Sequence, residues 1–258
     1  MRNYLIFTII FPWLTTLCYP IYAGEPVKVD KIKVLILSGR NNHNWQETTP
    51  FLERIFSDAG CFETEITNRP DTLTWENLMK FDAVVNNWNS FPDNNFRWPK
   101  ETEEGLLKFV KKGGGLVFFH ASTTTFYNWP KFKEISTGAW IESTWHGKPD
   151  SVKVEIENQE HPITKGLSDF VIFDELWINA EQNKAFNVLG SAVSDSVESK
   201  GIEKQPAIFI SNYGKGKIFH TILGHDVRAM SNPNFRTLIL RGTEWAATSK
   251  VKLTLPDE

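Results

Sequence analysis

The sequence has little cysteine and no concentrated charge. Two of its 258 residues are cysteines, and 28 lysine and arginine residues stand against 31 aspartate and glutamate residues, for a net charge of -3. The longest basic run is the pair Lys111-Lys112. A chain without a basic patch presents no positive field to a phosphate backbone, so we do not expect nucleic acid as a partner.

Long apolar runs are also scarce, and the strongest one lies at the N-terminus. It covers residues 5–11, follows a positive charge, and is interrupted by Pro12 and Pro20 before the segment ends at Ala23. Such a run is too short to span a bilayer comfortably. We therefore predict a signal peptide over residues 1–23 and a periplasmic or secreted mature protein. A retained membrane anchor is the alternative.

Cleavage after Ala23 would remove Cys18 and leave Cys61 without a partner for an internal disulfide. Cys18 raises the alternative of a lipoprotein, but Thr16-Leu17 before it lack the small residue that such processing prefers. The mature chain is expected to depend on its hydrophobic core for stability.

After this segment, strand and helix patterns alternate. Apolar strands are predicted near residues 33–37, 62–67, 81–87 and 116–120, with helices opening at Thr48 and near Glu101. This order predicts an α/β fold with a mainly parallel central sheet flanked by helices. Short β-like stretches in the middle of the chain predict a β-rich elaboration inserted into the same unit. Residues 24–258 are expected to form one domain.

Several contiguous catalytic motifs are missing. The chain has no Gly-x-Ser-x-Gly turn, which argues against an α/β-hydrolase, and no His-Glu-x-x-His pair. Gly113-Gly114-Gly115 precedes a strand, so it is not the phosphate-binding turn between a strand and a helix. Any active site has to be assembled from distant segments.

Polar residues recur where the predicted strands end. In a parallel sheet, ligands bind beyond the carboxyl ends of the strands, so these residues are expected to share one rim. We predict His120, His225 and Asp226 as catalytic residues. The predicted substrate-binding residues are His43, Trp45, Asn86, Asn87, Ser122, Trp145, His146 and Glu175. His161, in a turn, and His220, within a strand, are interpreted as structural.

No cofactor is predicted firmly. Metal-free acid–base chemistry is the simpler use of histidine, because imidazole titrates near neutral pH. A divalent metal is the alternative, and His43, His120 and His225 would then be its ligands. Loop tryptophans, among them Trp45, Trp88, Trp98, Trp129, Trp140 and Trp145, are interpreted either as ordinary packing or as flat walls for sugar rings.

The mature chain resembles the ThuA-like (trehalose utilisation) family, which has the class I glutamine amidotransferase-like fold. The matching stretches are residues 34–45, 113–121, 145–147, 161–164, 174–177, 213–216, 223–226 and 241–246. The resemblance implies a connection to trehalose and related disaccharides, often beside dehydrogenases that make 3-keto sugars. Amidotransferases of this fold use a cysteine after the central strand, whereas this chain has His120-Ala121-Ser122 there, so glutamine hydrolysis by that route is not expected.

Three functions remain open at this point. The first is an exported enzyme that isomerises or cleaves a disaccharide or 3-keto-glycoside, with His120 or His225 as the base. The second is a carbohydrate-binding protein without catalysis. The third is a metal-dependent hydrolase. All three take a small carbohydrate as the partner.

Overall fold

A computed structural model describes residues 30–124, 126, 129–182 and 186–255. The predicted signal peptide, residues 1–23, lies outside the described residues. Within the described part of the chain, no helix combines the length and the apolar character that a bilayer crossing requires.

A nine-stranded sheet forms the centre of the protein. In spatial order its strands are β2 (Phe62–Thr67), β1 (Ile32–Leu37), β3 (Ala83–Asn86), β4 (Gly115–Phe119), β13 (Gly216–Thr221), β12 (Gln205–Tyr213), β11 (Asn187–Ser194), β7 (Asp150–Ile156) and β8 (Phe170–Asp174). Two small sheets pair β5 (Gly138–Ala139) with β10 (Glu181–Gln182), and β6 (Trp145–His146) with β9 (Trp177–Ile178).

The helices are α1 (Trp45–Asp58), α2 (Trp75–Leu78), α3 (Lys100–Lys112), α4 (Pro130–Ile135), α5 (Asp195–Glu198), α6 (Val227–Met230) and α7 (Pro233–Thr248), with 3-10 turns at Pro70–Thr72 and His120–Thr123. The predicted α/β class with a helix-flanked sheet is confirmed. The pairings from β2 to β13 are parallel. The β-rich middle of the chain extends the same sheet through antiparallel pairings from β13 to β8.

Alternate residues of β1 pack into two different cores. Val34 and Ile36 belong to the core that contains α1 and α7, whereas Leu35 and Leu37 belong to the core that contains α3. Successive side chains of a strand point to opposite faces, so a strand covered on both faces has to be apolar throughout. The continuous apolar run that predicted this strand therefore reflects its central position.

Helix α1 begins earlier than predicted. The expected start at Thr48 was wrong, because the helix begins at Trp45 and contains Pro50. Thr48 and Thr49 are buried, and their hydroxyls accept hydrogen bonds from the side chain of Asn87 at 3.0 and 2.9 Å instead of capping the helix.

Three of the loop tryptophans lie in the core. Trp88, Trp98 and Trp129 are buried around Phe126, with Trp88 stacked on the Phe126 ring at 5.6 Å between centroids. These indoles contribute apolar packing. The interpretation of the tryptophans as sugar-binding walls does not apply to these three.

His220 is a neutral core residue. It is fully buried in β13, and its Nδ1 accepts a hydrogen bond from the Gly138 N–H at 3.0 Å, while Nε2 has no hydrogen-bond partner among the described residues. Burial lowers the pKa of His220 to about 3, from 6.5. Since the unfolded chain binds a proton below pH 6.5 and the folded chain does not, the contribution of this histidine to stability is lost as the pH falls.

This predicts a pH-dependent effect of His220→Asn, whose amide oxygen can still accept from Gly138. Between pH 7 and pH 4.5 the free energy of unfolding of the wild type should fall by about 2–3 kcal/mol relative to that of the variant. Only the wild type must keep a buried imidazole neutral. Urea unfolding of both proteins across this range measures the difference. A constant difference would show that His220 titrates normally.

Candidate functional site

The carboxyl ends of β1, β4 and β13 bring three histidines together. The loops after these strands carry His43, His120 and His225. His120 Nε2 lies 3.3 Å from His43 Nε2 and 3.1 Å from His225 Nδ1. Imidazoles separated by up to 182 positions in the sequence thus meet at one point, as the parallel part of the sheet requires.

His120 is the buried centre of the group. It follows β4 directly, has a left-handed φ of 42°, and is 2% exposed. Its Nδ1 lies 3.0 Å from the carbonyl oxygen of Ile222, so Nδ1 carries the hydrogen and donates it to that carbonyl. In the neutral ring, the Nε2 lone pair is left facing the other histidines.

His43 is oriented by Asn41. The Asn41 side-chain oxygen accepts the backbone N–H of His43 at 2.9 Å and lies 3.3 Å from the ring Nδ1. This contact favours the tautomer with hydrogen on Nδ1, because an oxygen can only accept. Nε2 of His43 then presents a lone pair toward His120.

Glu175 adds a carboxylate to the three imidazoles. It is buried, and Oε1 lies 3.7 Å from both His120 Nε2 and His225 Nδ1. Its other oxygen, Oε2, lies 3.0 Å from Nδ1 of His146. One ligand atom from each of His43, His120, Glu175 and His225 lies within 4.8 Å of all the others.

The local electrostatics keep two of the rings neutral. Burial, assisted by the charge of His225, lowers the pKa of His43 to about 4. Complete burial also holds the pKa of His120 well below its ordinary value. Burial opposes protonation of His225 as well, but its hydrogen bond and charge interaction with Glu175 outweigh this, and the pKa of His225 is raised.

Asp174 fixes the backbone at Glu175 and His225. Its buried carboxylate accepts N–H bonds from Gly224 at 2.7 Å, His225 at 3.0 Å and Glu175 at 2.8 Å. Burial raises the pKa of Asp174 to about 7 despite these donors. The single side chain therefore joins the end of β8 to the loop after β13.

The spacing of the cluster fits a divalent metal ion. Tetrahedral zinc with Zn–N bonds of about 2.0–2.1 Å separates its ligand nitrogens by roughly 3.3–3.4 Å. The nitrogens here are 3.1 and 3.3 Å apart, and Glu175 supplies an oxygen at 3.7 Å. His43 and His120 are neutral imidazoles whose Nδ1 is hydrogen-bonded, which is the form that metals bind. The cluster therefore has the donor set and the approximate spacing of a site for a divalent ion.

A cavity of about 440 Å³ opens onto this cluster. His43, His225, Glu175 and His146 form its polar side, and Phe91, Trp140 and Trp177 form aromatic walls. Asn42, Asn44, Thr124 and Asp226 also line it. A larger and more open groove, of about 880 Å³, lies over the antiparallel strands, but its described lining holds no histidine, so the smaller cavity is the candidate site.

Four predicted site residues form hydrogen bonds with other parts of the protein. The Asp226 side chain accepts the Ala229 N–H at 2.8 Å and caps α6, so it does not orient the His225 ring. Asn86 and Asn87 are each 3% exposed, with Asn86 donating to the Ser122 carbonyl at 2.8 Å and Asn87 bonded to α1. The Ser122 hydroxyl accepts the Phe119 N–H at 3.0 Å. The predicted contacts of Asn86, Asn87 and Ser122 with substrate are wrong, since these groups are buried and bonded within the protein.

The two predicted tryptophans also lie away from the cavity. Trp45 begins α1, Trp145 pairs with Ile178, and neither is among the described residues that line the cavity. The aromatic wall formed by Phe91 and Trp177 was not predicted from the sequence. Phe91 is 39% exposed, but a single aromatic residue in a loop gives no signal that distinguishes a binding surface from packing.

The fold and this cluster define an α/β protein with a histidine–carboxylate centre at the rim of its sheet. The family described as "ThuA: Trehalose utilisation" matches residues 33–246. The chain belongs to this family, which confirms the resemblance and connects the protein to carbohydrate use. No curated protein matches the sequence significantly.

Solved structures agree with the family assignment. A putative ThuA-like protein from Parabacteroides merdae is 29% identical, with a TM-score of 0.78 over 88% of this chain and 94% of that one. A second, from Bacteroides uniformis, is 23% identical, with a TM-score of 0.65 over 89% and 98% of the two chains. A Bacillus circulans β-galactosidase shares the fold alone, at 15% identity and a TM-score of 0.55, over 88% of this chain and 33% of its own.

Proposed function

We propose that the protein is a divalent-metal-dependent enzyme acting on a carbohydrate, with His43, His120, His225 and Glu175 as the metal ligands. The observation that carries the proposal is the convergence of four ligand atoms within 4.8 Å at the floor of a cavity. The family connects the chain to trehalose utilisation, which supports a sugar as the substrate.

Metal binding explains the cluster better than acid–base catalysis by His120. A general base has to reach the substrate proton and titrate near the working pH. His120 is 2% exposed, and burial depresses its pKa, so it meets neither condition. The rings of His43 and His225 point their nitrogens at His120 or Glu175, which leaves these histidines better suited to hold an ion.

His146 is better placed for proton transfer. Its side chain is 41% exposed, lines the cavity, and contacts Glu175 Oε2 through Nδ1 at 3.0 Å. Nδ1 also lies 2.8 Å from the Gly147 carbonyl oxygen, so Nδ1 carries the hydrogen and Nε2 presents a lone pair. In this proposal Glu175 faces the ligand cluster with Oε1 and orients His146 with Oε2.

The substrate class we favour is a 3-keto-glycoside. A bound divalent ion acts as a Lewis acid that polarises a carbonyl oxygen. His146 would take the acidic proton from the carbon next to the ketone and leave an enolate. The enolate would then be reprotonated as an isomer, or expel the aglycone from C1 as an alcohol that receives the proton held by His146. The apolar faces of Phe91 and Trp140 would bind the sugar ring. These aromatic walls equally support a second function, carbohydrate binding without catalysis.

The metal site predicts stoichiometric binding. Protein treated with chelator and then titrated with Zn²⁺, Mn²⁺ or Co²⁺ should bind one ion per chain by elemental analysis and calorimetry. His43→Ala, His225→Ala and Glu175→Gln should each weaken binding by more than about 100-fold, since each removes a direct ligand, whereas loss of a residue that only orients a ligand costs about 10–100-fold.

His161→Ala is the matched control, because this histidine packs against Trp245 and its Nδ1 accepts the Ile163 N–H. It should bind metal like the wild type. Absence of stoichiometric binding of all three ions by the wild type would refute the metal centre.

With a 3-keto-glycoside as substrate, changes at His146 and Trp140 are expected to affect different kinetic constants. His146→Gln should lower kcat by about 100-fold or more with little change in KM, because a general base contributes about 10²–10⁴-fold. Trp140→Ala should mainly raise KM, because it removes a binding surface. Product analysis over time gives kcat and KM, and calorimetry measures sugar binding. Tight sugar binding with no product from any glycoside tested would favour the non-catalytic alternative.

We also propose export of the protein, which rests on the sequence pattern of residues 1–23 alone. Expression of the full chain in a Gram-negative host should give a periplasmic protein whose N-terminus is Gly24, as determined by mass spectrometry of the purified chain. A cytoplasmic product that retains Met1 would contradict export and leave the metal site unaffected.

A further inference from the structure

A buried asparagine joins the loops that carry two of the histidines. Asn89 lies beyond the end of β3 and is 0% exposed. Its Nδ2 lies 3.0 Å from Asn41 Oδ1, 2.7 Å from Asn42 Oδ1 and 3.1 Å from the Ala121 carbonyl oxygen, so its two hydrogens are shared among three acceptors. Its Oδ1 accepts the N–H of Phe91 at 3.2 Å. One side-chain amide therefore bonds to the loops after β1, β3 and β4.

The contact between Asn89 and Asn41 bears on the orientation of His43. Asn41 Oδ1, which accepts from Asn89, is the same atom that accepts the backbone N–H of His43 and faces its ring Nδ1. The backbone N–H of Asn89 also donates to the Arg40 carbonyl at 3.0 Å. With the Asn41 oxygen held in place, the His43 ring has a fixed acceptor for Nδ1–H and turns Nε2 toward the cluster.

The second contact leads to His120. The Ala121 carbonyl belongs to the residue directly after His120, whose φ of 42° lies in the left-handed region. For a non-glycine residue this conformation is unfavourable and persists only where the surroundings enforce it. Asn89 and the Thr124 hydroxyl, at 2.7 Å, both donate to that carbonyl and hold the turn.

We infer that Asn89 is a positioning residue of the histidine–carboxylate centre, acting through Asn41 on His43 and through the Ala121 carbonyl on His120. It is fully buried, so it touches neither an ion nor a sugar in the cavity. The inference rests on the proposed function insofar as the two rings serve as metal ligands. The orientation of the rings themselves is independent of any metal.

Asn89→Ala is the direct test, and metal-free protein gives the first readout. Two-dimensional ¹⁵N–¹H spectra of the imidazoles should show single Nδ1–H tautomers for His43 and His120 in the wild type. The variant should show averaged or broadened signals for both rings and unchanged signals for His220. Asn41→Ala, at a half-buried position, removes the contact with Asn89 and two bonds to Asn87 but leaves the Ala121 carbonyl bonded, so it should disturb His43 and spare His120.

Metal affinity is the second readout. Asn89→Ala should weaken Zn²⁺ binding by about 10–100-fold, as expected for loss of a residue that orients ligands. Asn232→Ala is the matched control, because it removes an asparagine that caps α7 and donates to the Val171 carbonyl, and neither residue is among the described residues that line the cavity. That variant should lose thermal stability and keep its Zn²⁺ affinity within about threefold of the wild type.

The outcomes separate the two proposals. Unchanged imidazole spectra and Zn²⁺ affinity in folded Asn89→Ala, or an equal loss of affinity in Asn232→Ala, would overturn the role of Asn89. If the wild type bound no metal but the spectra changed as described, the metal centre would fail and the positioning role would stand. If Asn89→Ala did not fold, an unperturbed His43 in Asn41→Ala would overturn the inference for that ring.

Discussion

The hydrogen bond from His120 Nδ1 to the Ile222 carbonyl is the contact on which the centre depends. It joins the loops that follow two adjacent parallel strands, and it decides which ring nitrogen carries the hydrogen. With Nδ1 committed, Nε2 can only accept, and it becomes the point toward which His43 and His225 converge. Without this fixed tautomer, His120 would present either a lone pair or a hydrogen to its two neighbours, and the cluster would have no single arrangement.

The centre also depends on keeping at least two of its three rings uncharged. Burying three histidines together would be unfavourable if more than one were protonated, since like charges in a poorly solvated site repel. Burial lowers the pKa of His43 and His120, and Glu175 supplies the compensating charge for His225. The same balance favours a cation at this position, because a divalent ion would meet one carboxylate oxygen and two imidazoles, His43 and His120, that stay uncharged at neutral pH.

The sequence predicted the loops of the centre better than the roles of their residues. Apolar strands that end in histidine could be located, and the parallel order implied a common rim for His43, His120 and His225. The direction of a polar side chain at a strand end could not be read in the same way. Asn86 and Asn87 turn inward because buried backbone and hydroxyl groups need partners there, and Asp226 caps a helix. Each of these is a local choice set by neighbours distant in sequence.

Glu175 shows why the β-rich insertion matters to the chemistry. The parallel half of the sheet supplies all three histidines, but the carboxylate that completes the cluster follows β8, at the far edge of the antiparallel half. Its position is tied to the cluster by Asp174, which accepts the N–H groups of Gly224 and His225 in the loop after β13. The insertion also contributes Trp140, His146 and Trp177 to the cavity. The proposed carboxylate ligand and two of the three aromatic residues of the cavity therefore depend on the insertion, whereas the three clustered histidines follow parallel strands.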